Sequence, residues 1–405
     1  VCGKVSIVDN QSTESERHVS LAELVEEWRA HWTDLLLHDA GGPGECLVRA
    51  GELVVTPDGL GHVVDRLGRW IERVEPTEEL NLARIHLRAS ERDRCVHIAQ
   101  DVGQHIPVAA NHVHIGAPLM IGTPLMVGTP LMVGTGAEAD RTAPVPAPPE
   151  LTWHPPVSVA VLDTGLDPHP WFARRSWLAE WGLSPEVLDG DGSPGQDRQA
   201  GHGTFVAGVV LQHAPGATLR HQRVLSSFGL TDDLTVAAGL RRIRRTASAQ
   251  RMPLDVLVLT AGCHTSDNTC PPLLRREIAL FDDAVVVAAA GNGATSRPFW
   301  PAALPEVLAV AATHPDGRLA AFSNHGPWVD AAAVGVDVVS SYVRLRPARN
   351  DTAPGTETRS YGFARWSGTS FAAPRVAAEV AALRHSGLDP ARARAAACER
   401  HPVPR

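Results

Sequence analysis

Cysteine is scarce in this chain: six in 405 residues, at positions 2, 46, 95, 263, 270 and 398. So few, so scattered, exclude a disulfide-stapled scaffold, and the fold has to rest on a hydrophobic core. No apolar run approaches the ~18 residues that a membrane-spanning helix needs. The opening, VCGKVSIVDNQSTESERHVS, lacks the charged-then-apolar layout of a secretory leader. The chain starts on Val rather than Met; read as it stands it suggests a cytoplasmic protein, and a secreted one if an upstream segment precedes it. A basic excess is also missing: 37 Lys and Arg against 45 Asp and Glu give a net charge of −8. That balance sets aside nucleic acid and anionic membrane as main partners. One arginine-dense run, Arg241, Arg242, Arg244 and Arg245, falls within an amphipathic pattern from Thr231 to Gln250 and reads as a solvated helix face.

A 44% apolar composition is present, enough for a sizeable core. Three textures divide it, predicting an N-terminal domain over 1–112, a linker over 113–155 and a main domain over 156–398. In the first, Leu21, Leu24, Val25, Trp28 and Trp32 have helical spacing. CLVRAGELVVT at 46–56 reads as a strand or hairpin, and Asp58 caps a predicted helix running to about Val74. LARIHLRA and CVHIAQD follow as strand-like runs, which makes a small α+β domain. The linker holds one hexad written three times, in GAPLMIGTPLMVGTPLMVGTG at 116–136, and then a Gly/Ala/Pro-rich stretch. From Val157 onward VSVAVL, LDVLVL, AVVVAAA and VLAVAA alternate with helical segments, the pattern of a doubly wound parallel sheet covered on both faces.

Such sheets carry their chemistry at the carboxyl ends of the strands. Three short patterns fall there. VAVLDTGLD puts Asp163 just after a strand, GHGTFVAGVV puts His202 at a helix start between glycines, and WSGTSFAAPRVAAEVAAL puts Ser370 at the opening of an alanine-rich helix. Pro374 lies in the first turn of that helix, where a missing N–H costs little. A hydroxyl activated by an imidazole, with a carboxylate to hold the imidazole's tautomer, is the requirement of nucleophilic acyl transfer. Cys263 and Cys270 flank His264 without a C-x-x-C pair or a second half-site; plain thiols fit best, with a local disulfide and zinc as the other readings.

The order Asp, His, Ser resembles that of the subtilisin-like serine proteases, the subtilases, over about residues 155–390. DTGLD, GHGTFVAG and GTSFAAP are similar to that family's three signature blocks, and VVVAAAGN to its strand before an oxyanion-hole asparagine. The resemblance implies an α/β subtilisin-like fold and a serine endopeptidase acting on protein or peptide substrates without a cofactor. It implies Ser370 as nucleophile, His202 as general base and then acid, Asp163 as orienting carboxylate, and Asn292 with the Ser370 N–H as oxyanion donors. Substrate backbone would pair with SSFGLTD, including Phe228, Gly229 and Leu230, and with Thr260, Ala261 and Gly262. Ala289, Ala290 and Gly291 would wall the S1 pocket and Ala302 would floor it, favouring Leu or Met over aromatic residues. No metal site is expected: LQHAPGATLRHQ is short for a calcium loop, and the acidic DGDGSPGQD at 189–197 reads as a solvated loop. The segment between Tyr342 and Trp366 is longer than in compact relatives and is a place for specificity or regulation.

By the same resemblance the N-terminal domain is an inhibitory prodomain; a docking site for a regulatory protein and a structural cap are the rival readings. Each hexad offers an extended Pro-Leu-Met, so Leu119, Leu125 or Leu131 entering S1 would make the tract a self-processing site or a plug, against the plainer reading of a length-tolerant spacer and a third reading as a partner-docking tape. A dormant protease fold acting through partner binding is the alternative function. An esterase of the α/β-hydrolase kind is disfavoured, because Gly368-Thr369-Ser370-Phe371-Ala372 lacks the second glycine of G-x-S-x-G.

Overall fold

The four apolar runs after Val157 become four strands of one sheet. The computed structural model describes residues 21–104, 106–116, 131–133, 145–180, 184–190, 192, 196–346 and 358–404. The N-terminal part contributes α1 (Leu21–Arg29), β1 (Leu35–His38), β2 (Cys46–Val55), α2 (Pro57–Leu67), β3 (Ile71–Thr77), β4 (Leu82–Leu87), α3 (Cys95–Gly103) and β5 (Val108–Gly116). After β6 (Leu131–Val133) come β7 (Ser158–Asp163), α4 (Ser176–Glu180), α5 (His202–His213), β8 (Thr218–Arg223), β9 (Leu230–Asp232) and α6 (Asp233–Ala249). The chain continues through β10 (Val256–Leu259), β11 (Ala261–Gly262), α7 (Pro272–Ile278), β12 (Val285–Ala289), β13 (Leu308–Thr313) and β14 (Ala331–Val334). It ends with β15 (Val338–Arg346), β16 (Thr358–Trp366), α8 (Thr369–His385) and α9 (Pro390–Arg400).

The main sheet is parallel throughout, in the order β14-β13-β12-β10-β7-β8. Alternate residues of each strand feed opposite cores, as the two-residue strand period requires. Val159, Val161, Val256, Val258 and Val287 pack with α5 and the buried α8. Ala160, Leu162, Leu257, Leu259, Val286 and Ala288 pack with Leu240 and Ile243 of α6 and Leu274 and Ile278 of α7. Helices therefore cover both faces, as the expected doubly wound fold demands. Ala372, Ala373, Ala377, Ala378 and Ala381 are fully buried on α8, so this helix can lie close beneath the strands. Among the described residues no helix is long and apolar enough to cross a membrane.

The second sheet joins the two parts of the chain. Its strands run β11-β5-β2-β4-β3, with β1 on β2 and β9 on β5, so β9 and β11 of the main domain flank β5 of the N-terminal part. A third sheet, β15-β16-β6, places the last hexad copy antiparallel to β16, with Leu131 opposite Arg365 and Val133 opposite Phe363.

Two local expectations change. CVHIAQD forms α3, not a strand: Cys95, Ile98, Ala99 and Val102 are buried at helical spacing on the N-terminal core. The helix expected to reach Val74 stops at Leu67, and Ile71–Thr77 becomes β3, paired with β4. Gly68 follows that last helical residue, and the chain then pairs along the edge of β4, from Ile71 opposite Leu87 to Thr77 opposite Leu82. Beyond these, β5 runs on to Gly116, past position 113 where a linker was expected to begin.

One close approach sets the position of α5. A Cβ at Gly203 would stand 2.2 Å from the Gly165 carbonyl oxygen and 2.9 Å from His221 Nε2, so only glycine lets this helix start against the loop after β7. Gly203→Ala should cost roughly 1–3 kcal/mol by overpacking, read as a lower midpoint of chemical denaturation; an unchanged midpoint would refute the contact's importance.

Candidate active site

Asp163 ends β7 fully buried, and every oxygen contact it makes is a donor. Thr164 N–H donates to Oδ1 at 2.7 Å, the Thr260 hydroxyl donates to Oδ2, and His202 Nδ1 lies 2.7 Å from Oδ1. Burial works to raise the Asp163 pKa, but the His202 charge and hydrogen bond, with the Thr260 hydroxyl, hold the carboxyl below its ordinary value. It therefore remains an anion that fixes the imidazole. His202 stands in the first turn of α5, after Gly201 at a φ of 88°, and its ring packs against Trp366 and Phe371 at 5.3 and 5.2 Å between centroids. Phe371 follows Ser370 directly, so α5 and α8 meet where the imidazole and the hydroxyl are carried. Ser370 is fully buried, and its Oγ donates to the Thr260 carbonyl at 3.3 Å.

Asn292 completes this rim. Its Oδ1 accepts from Thr369 N–H and from the Thr369 hydroxyl, both at 2.9 Å, which turns Nδ2 away. That NH₂ is buried and has no hydrogen-bond partner. A donor held without an acceptor is what a transient oxyanion requires. Asn324 steadies the same loop: it donates to Ala290 O at 2.8 Å and accepts from Gly293 N–H at 2.8 Å.

Beside these groups lies a cleft with two strand edges, and β5 occupies it. Ile115 stands opposite Leu230 on one side and Gly262 on the other; Gly116 stands opposite Ala261 and donates its N–H to the Gly229 carbonyl at 2.7 Å. Gly229, Leu230, Ala261 and Gly262, expected to bind substrate backbone, are thus brought together around a strand of the chain itself. Phe228 instead packs on the N-terminal part, at 5.0 Å from both the His31 and Trp32 rings. Leu230 joins Leu24, Val25, Trp28 and Val113 in a shared apolar cluster.

The expected S1 residues divide. Gly291 stays at the rim, its N–H bonded to Thr369 Oγ1 at 3.1 Å, while Ala289 and Ala290 are buried in the cores behind it. Ala302 is not a pocket floor: it is buried beside Cys263, Cys270, Trp300 and Leu304 on the far face. The missed residue is Phe299, whose ring lies 2.5 Å from where a Gly262 Cβ would stand and 3.0 Å from where a Gly291 Cβ would stand. It fills the space between the two walls. Of the proposed processing residues, Leu119 and Leu125 lie outside the described residues, and Leu131 opens β6 on β16, not in the cleft. In the acidic loop Asp197 is buried, accepting from Gly190 N–H at 2.7 Å and from the Ser227 hydroxyl at 2.6 Å.

The family model described as the subtilase family matches residues 155–397. Over 242 residues the chain is 31% identical to the thermophilic serine proteinase of Bacillus sp. strain AK1, covering 56% of this chain and 52% of that protein. It is also 31% identical over 237 residues to subtilisin BL of Lederbergia lenta, covering 56% and 76%. The chain thus spans about half the length of the first relative and three quarters of the second. Fervidolysin from Fervidobacterium pennivorans, a keratinolytic enzyme related to subtilisin, shares the fold at a TM-score of 0.55 and 18% identity, over 88% of this chain and 62% of that one.

A second buried carboxyl braces the helix that carries His202. Glu186 accepts from Thr204 N–H at 2.9 Å and from the Thr204 hydroxyl at 3.0 Å, and Asp167, clamped by Arg359, accepts from Glu186 N–H. Burial pushes the Glu186 pKa up to about 7. A folded-state pKa above the unfolded one contributes stability that is full below the unfolded value near 4.5 and lost as pH rises to about 7. Glu186→Gln should therefore gain in melting temperature relative to the wild type as pH rises from 4.5 to 7. A constant difference across that window would contradict the protonated state.

Proposed function

The chain belongs to the subtilase family, and on that premise we propose that it is a serine endopeptidase restrained by its own N-terminal region. The buried Asp163–His202 pair, on a helix packed against the one that carries Ser370, is the observation that carries the first half. In this reading Ser370 Oγ attacks the scissile carbonyl while His202 takes its proton, and Asp163 stabilises the imidazolium. Asn292 Nδ2 and the Ser370 N–H receive the oxyanion, and the N-terminal end of α8 favours the same negative charge. His202 then protonates the leaving amine, and water repeats the sequence on the acyl-enzyme. Protein or peptide is the substrate class, because the cleft reads main chain.

The second half rests on β5. A strand hydrogen-bonded to both edges competes with any peptide for the same main-chain groups. The division of labour that follows is a restraining region ending at Gly116, a hexad segment, and a catalytic domain from about residue 156 to 398. No regulatory protein partner is required for the restraint; one that drew β5 out would relieve it. Register also speaks to specificity. Ile115 faces Gly262 and Gly116 faces Ala261, so a substrate in this register presents its next residue to Thr260, whose carbonyl touches Ser370. The next residue in this sequence is Ala117, not Leu119. A small side chain suits a pocket filled by Phe299, which turns the expected preference for Leu or Met toward Ala.

Two experiments test this. Ser370→Ala should abolish hydrolysis of peptide anilides and labelling by a fluorophosphonate, whereas Gly116→Pro, which removes the N–H bonded to Gly229, should raise turnover several-fold. Activity surviving in the first variant sinks the peptidase; no gain in the second sinks the restraint. Separately, Phe299→Gly should raise kcat/KM for substrates with Phe at the cleaved position by about 10–200-fold relative to Ala, the span that pocket size commands. An unchanged ratio would remove Phe299 from the pocket.

A further inference from the structure

His114 of β5 reaches across the cleft into the main domain. Its Nε2 lies 2.7 Å from Asp233 Oδ1, at the first residue of α6, and a ring nitrogen, an Asp233 oxygen and Cys263 Sγ all lie within 4.8 Å of one another. All three side chains are buried. We propose that His114, Asp233 and Cys263 bind a zinc ion that clasps β5 into the cleft.

The donor chemistry selects the ion. One thiolate, one imidazole and one carboxylate suit zinc rather than the oxygen-seeking calcium or magnesium, and bonds of ~2.0–2.3 Å place the metal among donors drawn in by side-chain rotation. The set is supported from behind. His112 donates its backbone N–H to Asp233 Oδ2 at 2.8 Å, and its Nδ1 lies 3.0 Å from the same oxygen, which orients the carboxylate and leaves Oδ1 to face His114. Cys263 is held by paired backbone hydrogen bonds with Trp300, at 2.9 and 2.8 Å. His114 Nε2 donates to the Asp233 carboxylate, and on zinc uptake the ring proton passes to Nδ1, which has no hydrogen-bond partner of its own. Cys263 is a free thiol; zinc uptake breaks its S–H bond, forms an S–Zn bond and releases the proton to solvent, with no change in oxidation state. Water takes the fourth position. This replaces the plain-thiol reading for Cys263, and its partners are neither Cys270 nor His264.

Two ligands belong to the main domain and the third to the N-terminal part, so the set exists only while β5 is docked. A ligand that binds only the docked state at a hundred times its Kd shifts the docking equilibrium about 100-fold. The regulatory consequence rests on reading β5 as the restraint; the metal site itself does not.

The full chain, kept reduced, would be titrated with Co²⁺ as the spectroscopic stand-in. The expected result is a thiolate-to-cobalt charge-transfer band that saturates at one equivalent and is bleached by Zn²⁺. The band should be lost in Cys263→Ser and His114→Gln and kept in Cys270→Ser, with folding checked by circular dichroism. If those variants do not fold, zinc protection of Cys263 from alkylation in the wild type, mapped by mass spectrometry, decides the matter. Absence of the band and of protection, or a band surviving in folded Cys263→Ser, overturns the site. Zn²⁺ should also lower peptide turnover, up to about 100-fold at a hundred times Kd, and not in Cys263→Ser. A cobalt band with undiminished turnover keeps the metal site and overturns the restraint.

Discussion

The main-chain pairing of β5 with β9 and β11 is the interaction on which the rest of this molecule depends. A cleft built from two open strand edges exposes unpaired N–H and C=O groups, which any extended chain can satisfy. Here the chain satisfies them itself, and the N-terminal part is shaped by that task. Its sheet is completed by strands of the other domain, and its flank packs Val54, Leu80 and Leu82 on Ala237 and Leu273 of α6 and α7. Arg241 and Arg276 extend the seam: each meets the buried Glu277 and also reaches a carbonyl at Glu79 or Leu80. The result is one continuous structure across a boundary that composition presents as a join between domains.

Charge is buried at the reacting end on the same terms. Asp163 is tolerated as an anion because backbone, hydroxyl and imidazole donors all converge on it, and Asp167 because Arg359 clamps it. Glu186, with neutral donors only and Asp163 and Asp167 nearby, is pushed up to about 7 instead. His221, half-buried on β8 next to the same strand with both ring nitrogens out of solvent, is pushed down to about 4 by burial and so stays uncharged beside the Asp163–His202 pair. A charged imidazole at His221 would compete with His202 for the Asp163 carboxylate, and its neutrality leaves that pair undisturbed.

The parallel sheet, and the strand ends and helix starts that carry the residues proposed to react, were legible because their signals are local. Four apolar runs, each followed by a Gly-rich turn, define strand ends, and Asp163, His202, Ser370 and Asn292 all sit at such ends or at helix starts. What stayed hidden depends on contacts distant in sequence. Nothing in VAANHVHIG says that two of its partners, β9 and β11, lie more than a hundred residues away, so β5 read as the edge of a linker. Phe299 and Ala302 lie three residues apart, and only the turn between them decides which faces the cleft. Arg241 belongs to a run that looks solvated, and Arg242 and Arg245 are exposed; Arg241 is drawn in by Glu277, which the helical pattern alone does not reveal. CVHIAQD is short enough for either period, and the buried face of Cys95, Ile98 and Val102 settles it as helix.

The hexads gain meaning from the same main-chain logic. The copy at Leu131–Val133 pairs with β16, the outer arm of the hairpin that leads into Ser370. An exact repeat can present an earlier copy to the same partner strand with every residue in the slot of its counterpart. The triplets Leu119-Met120-Ile121, Leu125-Met126-Val127 and Leu131-Met132-Val133 are therefore equivalent candidates for the same pairing. Fourteen residues separate Gly116 from Leu131, an extended reach of roughly 50 Å. Pairing an earlier copy would shorten the connection between cleft and hairpin by six residues at a time, and six residues of chain is roughly 20 Å. Repetition thus offers the connection several lengths at equal pairing cost, which a spacer of arbitrary sequence would not.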